Sequence, residues 1–154
     1  MIVSAHRLVP ALASLVLLLA CGRPAPQPIR YGQDLCDHCH MTISDPRFAG
    51  EIVTRTGRVY RFDDPACLAA FRRGQLRDTT GARAWVNDFP HPERLLDASS
   101  AIYVQSAALH TPMASGLAAF ADASQADSAG ALGVTRLTWT DVLAAAVPEP
   151  HHPQ

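Results

Sequence analysis

The stretch from Phe48 to Gly74, "FAGEIVTRTGRVYRFDDPACLAAFRRG", constrains the fold more than any other. Phe48 to Arg55 and Arg58 to Phe62 are rich in β-branched and aromatic residues, and Thr56-Gly57 between them predicts a two-residue hairpin turn. Tyr60 and Phe62 then share one face and Val59 takes the other. A helix follows at once. Asp64 suits its N-cap, Pro65 its first turn and Gly74 its end. Cys67, Leu68 and Phe71 fall on one side, the side to be buried. Cys67 lies in the first helical turn, where the dipole and free amides favour a thiolate; a small core residue is the equal alternative.

The rest of the chain is less sharply marked. Leu76 to Pro92 reads as mostly loop, with Trp85, Val86 and Phe89 supplying a short strand or cover. "SSAIYVQSA" predicts a strand from Ala101 to Ser106, and "ALHTPMASGLAAFADA" a loop running into a helix. "VTRLTWTDVLAAAV" predicts a strand from Val134 to Thr140 and a short helix capped by Asp141. The tetrapeptide "LAAF" occurs at Leu68–Phe71 and again at Leu117–Phe120, which suggests two related strand-and-helix units. The expected fold class is therefore α+β: two small ββα-type units, residues 31–92 and 93–147, packed together. Fewer than 120 residues make one ordinary domain, or two small ones sharing a core.

The N-terminus bears on the compartment. Leu8 to Ala20 is apolar, about the length of a signal-peptide core and too short to span a bilayer. It ends in "LLAC", which looks like a bacterial lipobox, so residues 1–20 are read as a lipoprotein signal peptide and Cys21 as the lipidated residue. The alternative is an ordinary secretory signal. Residues 21–30, with three prolines in "GRPAPQPI", suit an extended tether, and residues 148–154 a disordered tail. The chain would then face the periplasm, held to a bacterial membrane without spanning it. All 13 basic residues are arginines, but 14 acidic residues leave a net charge of −1, which argues against a nucleic-acid partner.

Once Cys21 is set aside, three cysteines remain: Cys36, Cys39 and Cys67. An odd number in an exported chain does not suit a pure disulfide framework. Cys36 and Cys39 stand in "DLCDHCHM", with His38, His40 and Met41. Thiolate and thioether sulfur together favour Cu(I), whereas zinc is content with thiolate and imidazole. Cys39 and Met41 are two apart and share a side in extended backbone. Met113, fixed by Pro112 in "HTPMASG", is a distant thioether; core packing is the plain alternative for both methionines. At most one of His38 and His40 is expected to reach an ion, and His110 reads as a polar loop residue.

These residues resemble the NosL family, lipid-anchored accessory proteins linked to copper delivery for nitrous oxide reductase. The shared pieces are Cys39-His40-Met41 as C-x-M, Phe62-Asp63-Asp64 after a strand pair, Ala101 to Val104, and Pro112-Met113 to Phe120. The resemblance implies two ββα-type units and a Cu(I) held by Cys39, Met41 and Met113. His40 departs from the glycine common in C-x-M. The C-x-x-C pair with Cys67 also resembles small TRASH modules, which would make Cys36, Cys39 and Cys67 the metal set with methionine as helper. The reading is a binding protein and not an enzyme. Two alternatives stay open: a thiol–disulfide redox protein, or a structural zinc module.

Overall fold

The computed structural model describes residues 23–129 and 135–145. The lipobox-like stretch, Cys21 and the tail beyond Ala145 lie outside these residues. The fold is α+β; the described residues form two small antiparallel sheets, three α-helices and a 3-10 turn at Pro46–Phe48. The first sheet has the order β2-β1-β3-β4, with β1 at Gly50–Val53, β2 at Val59–Phe62, β3 at Arg83–Asp88 and β4 at His91–Asp97. The second has the order β6-β5-β7, with β5 at Ile102–Gln105, β6 at Leu117–Phe120 and β7 at Thr135–Leu137. Helix α1 is Pro65–Gly74, α2 Ala123–Ala129 and α3 Trp139–Ala144.

The hairpin and the first helix form as their residues dictate, with two differences of detail. Val53 pairs with Val59, and Gly57 N–H bonds the Thr54 carbonyl at 2.9 Å. The connection is therefore a three-residue loop, Arg55-Thr56-Gly57, closed by Gly57 at φ +85°, not a two-residue turn. Asp64 caps α1 through Ala66 N–H at 2.8 Å, with Pro65 in the first turn. Gly74 is the last helical residue, but Gln75 after it stays right-handed, so the helix ends without a left-handed glycine. One face of the sheet, with Tyr60, Phe62, Ile52, Ala84 and Val86, meets α1. Phe71 packs there with tilted rings, 4.6 Å from Tyr60 and 5.2 Å from Phe62, centroid to centroid. The opposite face carries Arg61, Glu51, Trp85 and Asn87. Pro26 to Ile29 border one cleft with Glu51, Asn87 and Leu95 on it.

Two expectations need correction. Leu76 to Pro92 is not mostly loop: β3 is a buried six-residue strand at the sheet's centre, and β4 begins at His91. β4 is an edge strand with mostly exposed side chains, where Pro92 is tolerated and no alternating apolar pattern is required. The second "LAAF" is strand β6, not helix. Gly116 at φ +66° turns the chain before it, and both faces of β6 are buried. Leu117 and Ala119 join the main core, while Ala118 and Phe120 join a second cluster with Phe48, Val104 and Ala126. That two-sided burial requires a period of two. The final helix is capped by Thr138, with Asp141 closing a capping box from its third position, and Trp139 lies in the helix.

One core crosses both sheets. Ile52, Phe62, Leu68 and Val86 of the first unit pack in one cluster with Tyr103, Leu117, Trp139 and Val142 of the second. The seam is also hydrogen-bonded, through Phe89 N–H to the Ala119 carbonyl at 2.8 Å and Ala121 N–H to Asp88 Oδ1 at 3.1 Å.

Candidate metal centre

Residues 36–41 form a tight loop closed by an isolated bridge between Leu35 and Thr42. Cys36 N–H bonds the Met41 carbonyl at 2.8 Å, and His40 N–H bonds the Cys36 carbonyl at 3.0 Å. His40 takes φ +63°, the left-handed region, so the chain reverses and both cysteines stay on the inner side. Cys67 reaches the same point from the first turn of α1, and Asp63 from the residue after β2. One ligand atom each from Cys36, Cys39, Asp63 and Cys67 lies within 4.8 Å of every other. Cys36, Cys67 and Asp63 are buried and Cys39 is half-exposed, so Cys39 is the side of the cluster nearest solvent.

Hydrogen bonding divides the thiols. Cys36 sulfur accepts from the Cys67 thiol first, and from the Cys39 and Asp63 amides, which lower its pKa against burial. The same bond, with burial and the nearby negative groups, pushes Cys67 up. The helix start therefore does not lower the Cys67 thiol, which its sulfur neighbours and burial raise instead. Cys39 is pushed up to about 12, chiefly by burial, although the Met41 amide donates to its sulfur. Its S–H points at Asp63 Oδ2, 3.3 Å away. Asp63 Oδ1 is buried with no hydrogen-bond partner.

Asp64, next in the chain, is as buried as Asp63 but fully engaged. Besides Ala66 N–H, its carboxylate accepts from the Ser115 hydroxyl at 2.9 and 3.0 Å and from Met113 N–H at 3.3 Å. It thus ties the β5–β6 loop of the second unit to the thiol cluster of the first.

Residues 29–144 match the model of the NosL family. The chain belongs to that family. No protein of curated function matches it in sequence. Among solved structures, this NosL protein is similar to the copper chaperone NosL from Shewanella denitrificans, with a TM-score of 0.57 and 20% identity over 68% of this chain and 84% of that one. At that identity the likeness is one of fold.

Within this NosL chain, the expected ligands are placed unevenly. Cys36, Cys39 and Cys67 come together as free thiols. Met41 bonds both Cys36 and Cys39 through its main chain, while its side chain is 44% exposed. Met113 packs half-buried against the main core, its amide on Asp64. His38, His40 and His110 stand outside the cluster; buried His38 has Nδ1 3.4 Å from Gln75 Oε1. Asp63 was not among the expected ligands. Its signal was the doubled aspartate of "FDD", where one acid suffices to cap the helix. Among the described residues, no helix is long and apolar enough to cross a membrane.

Proposed function

We propose that this protein is an exported, lipid-anchored metallochaperone that holds one Cu(I) on Cys36, Cys39 and Cys67 and passes it to an extracytoplasmic copper enzyme. The observation that carries this reading is the gathering of three free thiols in one cluster. Three thiolates are soft donors of the kind Cu(I) selects. The cluster is graded in access: Cys36 and Cys67 are buried, Cys39 is partly exposed, and Met41, two residues on, is exposed. Cargo leaving by way of Cys39 and Met41 can exchange sulfurs with an acceptor one at a time, with Met113 as the thioether supplied by the second unit. The family resemblance implies nitrous oxide reductase as that acceptor, and the lipobox-like "LLAC" makes Cys21 the lipid anchor. The C-x-x-C pair lies in a bridge-closed loop, not at the start of a helix, which supports metal binding over thiol–disulfide turnover.

The test is Cu(I) titration of the reduced chain, without oxygen, against a chromogenic chelator. Tight one-to-one binding that is lost in Cys39→Ser supports the reading; unchanged binding in that variant sinks it. Transfer to copper-free nitrous oxide reductase, followed by metal analysis of the separated proteins, tests the acceptor. Lipid labelling that disappears in Cys21→Ser tests the anchor.

A further inference from the structure

Arg30, Arg47, Arg61, Arg83, Arg94 and Arg136 each pair with an aspartate. Arg55, Arg58 and Arg77 form no ion pair among the described residues. All three are exposed, and all three line one cleft of about 330 Å³ between the β1–β2 loop and the end of α1. Two of them are held by contacts that leave the guanidinium unspent. Arg58 lies over the Tyr60 ring, 4.8 Å from its centroid, while its amide bonds Thr54 Oγ1 at 3.0 Å. The stem of Arg55 packs against Gly81, where an added Cβ would meet three of its carbons at 3.4–3.5 Å. Such arginines have given up rotamer freedom without using their fork of donors. Asp78 is the one carboxylate on the wall, and it already accepts Thr80 N–H at 2.9 Å. Against three guanidinium groups it leaves the cleft net positive.

We infer that this cleft is a site for a phosphate ester, and that its occupant is the headgroup of an anionic phospholipid in the membrane that carries the anchor. The choice of lipid rests on the anchored reading given above. Guanidinium forks match phosphate oxygens two at a time. The volume is that of a small-ligand pocket, with room for more than a bare phosphate. Tyr60 and Leu76 give the wall an apolar part for the glycerol. The anchor also keeps the cleft near its ligand. Gln27 N–H is fixed on Glu51, and the six residue steps from Cys21 to Gln27 reach no farther than about 22 Å. A concave basic site this close to an anchor favours a headgroup over the carboxylates of a protein surface. Gln75 lines the cleft and also faces His38 Nδ1 at 3.4 Å. The docked face and the thiol loop therefore share an edge, and a bound headgroup sets how that loop is turned relative to the membrane.

The experiment takes the full, metal-free chain in neutral detergent micelles, adds phosphatidylglycerol, and follows the arginine Nε–H signals by NMR. Arg55, Arg58 and Arg77 shift together and saturate at one lipid per chain, while Arg136, paired with Asp127, stays in place. Phosphatidylcholine, whose phosphate is neutralised within its own headgroup, binds at least about tenfold more weakly, since a hydrogen bond to a charged group is of the order of a tenfold change. Inorganic phosphate, which cannot use the Tyr60 and Leu76 wall, is also at least about tenfold weaker. Arg58→Gln with Arg77→Gln weakens the phosphatidylglycerol response at Arg55 at least about tenfold, with near-ultraviolet dichroism unchanged. Asp78→Asn, which removes the carboxylate charge and keeps an acceptor for Thr80, tightens the same response. The proposal is overturned if the two phospholipids bind alike, if the double variant binds as the unchanged chain does, or if inorganic phosphate binds as tightly as the lipid, which would make this a soluble-anion site. A double variant that keeps the lipid but loses copper transfer to the acceptor would make the arginines a docking face for an acidic protein, and also overturns it. If Cys21 carries no lipid and the cleft still takes phosphatidylglycerol, the anchor falls and the site stands. If Cys21 is lipidated and the cleft takes none, this inference falls alone.

Discussion

Asp63 and Asp64 are neighbours in sequence, equally buried, and open onto two different regions. Asp64 faces the seam between the units, and both of its oxygens are engaged by Ala66, Met113 and Ser115. Asp63 faces the thiol cage and has one thiol donor and one unpartnered oxygen. A satisfied buried carboxylate is structure; a half-satisfied one among ligands is capacity held for something that binds. The comparison predicts that substitutions at the seam cost stability and substitutions at the cage cost metal.

The largest effect belongs to Asp64→Ala. It removes the cap of α1 and strands the Ser115 hydroxyl and the Met113 amide. A lost cap costs about 1 kcal/mol and each buried group left unpaired about 1–3 kcal/mol, so the metal-free protein should lose about 4 kcal/mol in urea unfolding. Gly116→Ala attacks the same seam through the backbone. A Cβ there would lie 2.4 Å from the Ser106 carbonyl oxygen, at a φ of +66°. About 3 kcal/mol is expected from strain and overpacking together. If either variant instead leaves stability intact and abolishes metal binding, the division between seam and cage fails.

Much of the seam and half of the cage were legible in the sequence. Asp64-Pro65 announced the helix because an N-cap is a local device, and three unpaired cysteines announced a site because ligand chemistry is written in residue type. What escaped was set by tertiary surroundings. "LAAF" becomes helix behind the Asp64 cap and strand beside Tyr103, where both its faces are covered. β4 is an exposed edge and carries no alternation to read. The Cys36 thiol is lowered by the Cys67 thiol first and by the Cys39 and Asp63 amides after it, contacts that only the folded chain brings together. Asp63 entered only as part of Phe62-Asp63-Asp64, because its burial with an unpartnered oxygen is set by the fold.

Glu51 offers a control for the cost of a half-satisfied carboxylate away from any thiol. It is fully buried on the outer face of the first sheet, with Oε1 accepting Gln27 N–H at 2.7 Å and Oε2 unpartnered. Burial raises its pKa from 4.5 to about 7, against the pull of the Gln27 amide and Arg61. The folded state therefore holds this proton more tightly than the unfolded chain. The associated stability is fully present below pH 4.5 and is lost as pH rises through 7. Roughly 2 kcal/mol should disappear across that window, less than the full shift implies because the rim of the cleft is open to solvent. Glu51→Gln should flatten that part of the stability–pH curve. A curve of unchanged slope would show that the burial of Glu51 is relieved by other means.

The smallest effect is the most discriminating. Asp63→Asn keeps the shape of the side chain and removes its charge. Its remaining carbonyl oxygen is a weaker, uncharged acceptor for the Cys39 thiol, but the change also ends the burial of an unpartnered carboxylate oxygen. These terms oppose each other, so the metal-free protein should change by less than about 1 kcal/mol in urea unfolding, against about 4 for the adjacent Asp64→Ala. Equal losses at the two positions would mean that Asp63 is a second structural carboxylate. A near-zero change would mean that the fold does not depend on the buried acid at Asp63, unlike the one beside it.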